Sequence, residues 1–293
     1  MSFPTDPRLT VMKIKQHSAS ARKTTNRLLR HMLSTLQDDD PRPVDVVRQD
    51  GTSPFFLSGD HAGCAVPRSL ASLGLPKATL QRHIGVDIGI ATLGGMLSQA
   101  LDATFISQPY SRLVIDCNRP KGQADSIPTK SDGTIVPGNQ DLCAEARTRR
   151  ETAIFDPYHA RFRDLLDRRT ADGRRSVLVA LHSFTPNHGD FPQPRPWHIS
   201  VLYNRDARLA RPLLARLRGE PDLVVGDNEP YVVSDELDYG IPVHGEARGI
   251  LSVEIEIRQD TLGDTASCRR WSDRLARLLP AALEDLTHSG GAM

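Results

Sequence analysis

Histidines, carboxylates and an Asn-Arg pair recur in this chain where short apolar runs end. The clearest case is Val177-Leu178-Val179-Ala180-Leu181, followed by His182, Ser183, Phe184, Thr185 and Pro186. Five apolar residues in a row predict a buried strand, and the proline predicts where it stops. Ligands of open α/β sheets bind beyond the carboxyl ends of the strands, which is where this reading puts His182. Asp60-His61, Asp116 with Asn118-Arg119, and Asp227-Asn228 repeat the pattern; Asp87 and Glu256 come from a helix start and a strand. Two histidines, a ligating acid and one further free acid are the inventory of a catalytic zinc site. Such a site has three protein ligands, one open position for water, and a carboxylate to take that water's proton. Asn118 and Arg119 would supply donors for a substrate carboxylate or a developing oxyanion. Spacing leaves the matter open. There is no H-E-x-x-H, only His83 and Asp87 stand a helical turn apart, and a histidine such as His182 can simply cap its strand.

The elements that must position these groups read as one large domain. The 293 residues are 39% apolar and 25% charged, ordinary for a soluble globular chain. Lys plus Arg is 37 against 36 for Asp plus Glu, a net charge of +1, which argues against nucleic acid or an anionic membrane as partner. No apolar run approaches the roughly 20 residues of a membrane span, and the first residues lack the pattern of a secretory signal. Scattered cysteines at 64, 117, 143 and 268 read as reduced thiols of a cytoplasmic protein. Residues 1–43 are expected to be a basic helical extension, with a leucine stripe over 18–37 and a charged linker at 38–43, suited to dimerisation. Residues 44–293 then alternate strands and helices: strands near 44–47, 54–57, 103–106, 113–115, 176–182, 198–203, 223–225 and 249–257. Helices are expected at 87–101, at 144–169 with a break at Pro157, at 207–217 and at 266–286. The segment 119–142 reads as a long loop of the kind that is usually functional. The pattern predicts a three-layer α/β domain, its sheet mixed but mostly parallel, with helices on both faces. In the 249–257 strand Glu254 and Glu256 share a face, which a solvated surface would also explain.

The order of several short motifs resembles the N-formylglutamate amidohydrolase family. These are Asp60-His61-Ala62-Gly63, His83-Ile84-Gly85-Val86-Asp87-Ile88-Gly89, Arg112-Leu113-Val114-Ile115-Asp116-Cys117-Asn118-Arg119, Pro157-Tyr158-His159, Leu181-His182-Ser183-Phe184, Asn228-Glu229-Pro230-Tyr231, His244-Gly245 and Glu256-Ile257-Arg258-Gln259-Asp260. The resemblance spans about residues 50–262. It implies a hydrolase-type fold like that of the zinc exopeptidases and aspartoacylases, and one Zn2+ per chain. It further implies His61 and His182 as ligands, Asn118-Arg119 as the substrate-binding pair and Glu256 as general base. Three residues after His61, where carboxypeptidases carry their acid, stands Cys64, so the middle ligand falls to Asp87, with Asp60 as its rival or as a partner that orients His61. Arg112, Tyr231 and His244 are expected to line the pocket.

The implied reaction is cleavage of the amide of a small N-acyl amino acid, most simply N-formyl-L-glutamate to glutamate and formate. The same fold also suits a related N-acyl amino acid, a short peptide or a cell-wall fragment. An inactive homologue that binds an amino acid or a protein through this pocket is the alternative in kind.

Overall fold

Alternation in the last long strand shows how the sheet is built. Leu251, Val253, Ile255 and Ile257 enter one core, whereas Ser252, Glu254 and Glu256 face the other way. Val177, Val179 and Leu181 follow the first group, and Leu178 and Ala180 lie in a second core across the sheet. A period of two puts His182 on the same face as Leu178, Ala180 and the two glutamates.

The computed structural model describes residues 35–190 and 193–289. The strands are β1 (Asp45–Val47), β2 (Phe55–Gly59), β3 (Thr104–Ser107), β4 (Lys130–Ser131), β5 (Thr134–Ile135), β6 (Val177–Phe184), β7 (Ile199–Leu202), β8 (Val225–Asp227) and β9 (Leu251–Arg258). All but β4 and β5 form one sheet in the order β1-β3-β2-β6-β9-β7-β8; β4 and β5 make a separate hairpin. The pairs β2–β3, β2–β6, β6–β9 and β7–β8 are parallel, and β1–β3 and β7–β9 antiparallel, so the sheet is mixed and mostly parallel. The helices are α1 (Lys77–Leu80), α2 (Ile90–Leu101), α3 (Ala144–Arg150), α4 (Asp156–Ala171), α5 (Ala210–Arg218) and α6 (Thr265–Ser289). Leu93 and Leu97 of α2, Leu213 and Leu217 of α5, and Leu275, Leu278 and Leu279 of α6 cover one face. Tyr158, Phe162, Leu165 and Leu166 of α4 cover the other. Three layers result, and each fully buried Leu or Ile contributes about 1.5–3 kcal/mol.

Several expectations need correction. Leu113–Ile115 is buried but forms a turn, not a strand. Its carbonyls are taken by side chains: Asn139 Nδ2 donates to Leu113 O at 2.8 Å and Arg150 Nη1 to Val114 O at 3.0 Å. A backbone satisfied that way has no need of a sheet partner. Pro157 does not break its helix. It sits in the first turn of α4, behind a π-helical turn at Glu151–Phe155 that continues α3, and a proline's missing N–H is harmless at a helix start. The strand expected to end at His182 runs on to Phe184. The long loop 119–142 contains the β4–β5 hairpin and short 3-10 turns.

The leucine stripe of 18–37 lies outside the described residues apart from 35–37, which are not helical. The stretch expected as a linker is tied to the domain. The Arg68 N–H donates to Asp40 Oδ1 at 3.1 Å, Tyr110 Oη to Pro41 O at 2.5 Å and Gln108 Nε2 to Pro43 O at 3.1 Å. No helix among the described residues is long and apolar enough to cross a membrane. Cys64, Cys117, Cys143 and Cys268 are all free.

Candidate active site

Three chain segments bring His61, Asp87 and His182 together at the carboxyl end of the sheet. His61 follows β2 directly, and His182 lies near the end of the neighbouring β6. Asp87 does not open a helix as expected; α2 starts at Ile90, after a turn in which Gly89 has φ +85°. That left-handed turn favours glycine, and a Cβ there would meet Leu262 Cβ at 2.6 Å. The Asp87 N–H donates to His61 O at 2.9 Å, so the turn is fastened to the residue its side chain must meet.

The ring nitrogens of the two histidines face one another. His61 Nδ1 lies 3.1 Å from His182 Nδ1, and Asp87 Oδ2 lies 3.5 Å from the first and 2.9 Å from the second. All three residues are at most 2% exposed, and their ligand-capable atoms form one group. Two lone-pair nitrogens aimed at each other and at one carboxylate oxygen repel unless a cation or a proton sits between them. The separations also fit a tetrahedral ion with bonds of about 2.0–2.1 Å, whose ligands stand roughly 3.3 Å apart. The residues present therefore suit zinc. Asp60 stands apart from this convergence. Its Oδ2 lies 3.6 Å from His182 Nε2, on the far side of the ring, and its Oδ1 accepts from Tyr158 Oη at 2.5 Å.

Behind each imidazole stands a carboxylate. Asp116 Oδ1 lies 2.6 Å from His61 Nε2, and an acceptor there fixes the proton on Nε2 and leaves Nδ1 with its lone pair. The carboxylate hydrogen-bonded to His61 is thus Asp116, not Asp60, whose Oδ2 faces His182 Nε2 without a hydrogen bond. Burial would raise Asp116, yet His61 and Arg112 hold its carboxyl well below the usual range. Burial likewise opposes ionisation of Asp87, and His61 and Arg112 again win. Arg112 is the bridge: Nη1 meets Asp87 Oδ1 at 3.1 Å and Nη2 meets Asp116 Oδ2 at 3.3 Å. Burial would lower His182, but Glu254, Asp60 and Asp87 outweigh it and raise the imidazole well above its ordinary value.

Glu256 pairs in register with His182 across β6 and β9, and Glu254 sits two residues back on the same face. Neither is solvated, at 6% and 5% exposure. Burial pushes Glu254 up to about 7 and Glu256 up to about 8, their attraction to His182 notwithstanding. Glu256 Oε2 is buried with no hydrogen-bond partner. Glu254 approaches the Nε2 side of His182, at 3.9 Å, away from the converging Nδ1 atoms.

Above these groups opens a cavity of about 410 Å³, the size of a small-molecule site. His61, His182, Glu254, Glu256, Arg112, Asn118, Arg119 and Tyr231 all line it. Arg119 is held between Asp125 (3.0 Å) and Asp238 (3.0 Å). Asn118 Oδ1 accepts the N–H groups of Tyr239 (3.1 Å) and Gly240 (2.9 Å), so much of its capacity is spent on the wall itself. Tyr231 Oη accepts from Arg195 Nη1 at 2.9 Å, and its ring lies 5.1 Å under that guanidinium.

Two expected contributors lie elsewhere. His244 is fully buried, stacked 4.0 Å from Phe162 and 2.9 Å from His159 Nδ1, and does not line the cavity. Burial pushes it down to about 3, as suits a neutral core imidazole. Asp227-Asn228 is spent at the sheet edge, where Asn228 Oδ1 accepts from Tyr203 N and Asp227 pairs with Arg218. Conversely, Glu254 joins the cluster although sequence reasoning assigned it no role, and Asp116, expected only as part of a polar cluster with Asn118-Arg119, stands behind His61. Asp116, four residues after Arg112 and just before Asn118-Arg119, was the available signal.

A three-layer α/β sheet with a histidine–carboxylate cluster at its carboxyl end defines a hydrolase-like architecture. The family model of N-formylglutamate amidohydrolases matches residues 53–262, and the chain belongs to that amidohydrolase family. The sequence matches no curated protein significantly. Among solved structures, it resembles the gene product Atu2144 from Agrobacterium tumefaciens, at 33% identity over 86% of this chain and 99% of that one, with a TM-score of 0.82. The N-formylglutamate amidohydrolase from Ralstonia eutropha JMP134 shares the fold at 19% identity, over 85% of this chain and all (100%) of that one, with a TM-score of 0.62.

Proposed function

We propose that this chain is a zinc-dependent amidohydrolase that cleaves a small N-acyl amino acid, most simply N-formyl-L-glutamate to formate and L-glutamate. The observation that carries the reading is the convergence of His61 Nδ1, His182 Nδ1 and Asp87 Oδ2 within 3.5 Å, with Glu256 facing them from the next strand. His61, Asp87 and His182 would hold the ion. When bound, zinc supplies a Lewis acid for the carbonyl oxygen and acidifies a water.

The remaining work belongs to side chains. Glu256 accepts the water's proton at its unpartnered Oε2 and returns it to the leaving amine nitrogen. Burial holds the Glu256 carboxyl up to about 8, a basicity matched to proton transfer near neutral pH. Asp116 and Asp60 keep the two imidazoles in register, and Arg112 keeps Asp87 and Asp116 charged. Arg119, which lines the cavity beside Asn118, would be the donor for a substrate carboxylate.

Formate release from N-formyl-L-glutamate, measured after chelator treatment and again after zinc is restored, tests the proposal. Activity lost and then recovered supports it. Zinc uptake without formate from this substrate redirects the search to other N-acyl amino acids or short peptides. Neither uptake nor turnover would leave a binding protein.

A further inference from the structure

A second group of two histidines and an acid stands on the wall of the same cavity, apart from the residues assigned above. His83 follows α1, Asp132 lies at the tip of the β4–β5 hairpin, and His188 lies in the loop beyond β6. His83 Nε2 is 3.0 Å from Asp132 Oδ2, and His188 Nδ1 is 3.4 Å from Asp132 Oδ1. The two rings meet edge to face with centroids 5.9 Å apart, and both imidazoles line the cavity.

The geometry is not that of an ordinary hydrogen-bonded triad. His83 Nε2 is buried and forms no hydrogen bond, although a carboxylate oxygen stands only 3.0 Å away. A hydrogen bond needs the donor pointed at the acceptor, and at this distance the angle must be what fails. Ligand atoms around a shared ion show that combination: separations of about 3.3 Å, with lone pairs aimed at a common centre and not at each other. The charges also suit a cation. The Asp132 side chain is 8% exposed, and a carboxylate so enclosed calls for a cationic partner. Other groups also reach the cluster. Arg82 Nη2 lies 3.4 Å from Asp132 Oδ2 on a side chain 46% exposed, and the Asp190 N–H reaches His188 Nδ1 at 3.2 Å. The Gly189 N–H donates to Asp132 Oδ1 at 2.6 Å, which leaves Oδ2 to face His83.

We infer that His83, Asp132 and His188 form a second site for a divalent, zinc-like cation, on the rim of the cavity. Two imidazoles and one carboxylate select a borderline ion over calcium or magnesium. Bound there, the ion ties three otherwise separate loops together at the cavity mouth.

The test is zinc stoichiometry of the full-length protein, stripped with chelator, refilled with Zn2+ and freed of excess. Two zinc ions per chain are expected. The His83→Ala/His188→Ala variant should keep one, and the His61→Ala/His182→Ala variant should keep the other. Asp132→Asn, which retains the side chain's shape, should weaken the second zinc by about 10- to 100-fold and guards against a folding defect in the double variant. One zinc per chain, lost with His61 and His182 but untouched by His83, His188 and Asp132, would overturn the inference and leave the proposed function standing. One zinc lost only with the rim residues would support the inference and remove the proposed catalytic site.

Discussion

The two faces of β6 and β9 are made by the same backbone and do opposite things. On one face Val177, Val179, Leu181, Val253, Ile255 and Ile257 share one apolar core with side chains from α2, α5 and α6. On the other, β6 carries Leu178 and Ala180 before His182, and β9 carries Ser252 before Glu254 and Glu256. Both faces are equally buried. The apolar face therefore supplies stability, while the polar face spends some of it to hold charged and titratable groups away from water. Asp60, Asp116 and Arg112 reduce that cost by meeting the buried groups with partners of opposite charge. A site of this kind is cheap to break chemically and hard to unfold.

That contrast makes separable predictions. The largest effect falls on the polar face. His182→Ala should abolish zinc binding at the catalytic cluster and bring formate release to background, with circular dichroism unchanged. Ile255→Ala, next door but pointing the other way, should lower unfolding stability by about 2–5 kcal/mol in a denaturant titration. Its turnover per folded molecule should stay near that of the parent protein. If Ile255→Ala proves as damaging to turnover as His182→Ala, the two faces are not independent.

Asp116→Asn probes the support behind His61. It should weaken zinc by about 10- to 100-fold in a competition titration, because an amide no longer fixes the Nε2 proton with full charge. Zinc affinity unchanged in this variant would remove Asp116 from the account.

The smallest effect is a pH dependence of the metal-free protein. Glu254 and Glu256 titrate near 7 and 8 in the folded chain and near their ordinary 4.5 when unfolded. Between those values the native state binds more protons than the unfolded state, so stability must fall as pH rises. The contribution is intact below about 4.5 and is lost through pH 7 to 8. Melting of metal-free protein from pH 5 to 8.5 should show this slope, and a Glu254→Gln/Glu256→Gln variant should flatten it. An unchanged slope would mean that these carboxyls do not titrate where the structure puts them.

Much of this was legible in the chain itself, for physical reasons. Strict alternation in β9 and an unbroken apolar run in β6 report burial directly, and the leucine stripe of α2 falls at helical spacing. Leu113–Ile115 misled because apolarity reports burial and not hydrogen bonding; its partners, Asn139 and Arg150, are distant in sequence. The site was harder. His61 and His182 stand 121 residues apart, so no local spacing joins them, and motif order carried that part of the reading. His244 shows the limit of motif order, since a histidine in a family motif can serve the core as well as the cavity. Alternation alone left a solvated face open for Glu254 and Glu256, because it cannot tell water from a buried cluster, and only the motif pointed to Glu256 as a base.

The measurement closest to the centre of the account sets Glu256→Gln beside the parent protein, with bound zinc and formate release from N-formyl-L-glutamate recorded on the same samples. Zinc at the parent level with turnover reduced by about 10²–10⁴-fold is the expected result. Formate release at the parental rate, with zinc bound, would contradict the assignment of Glu256 as the base and with it the proposed working of the site.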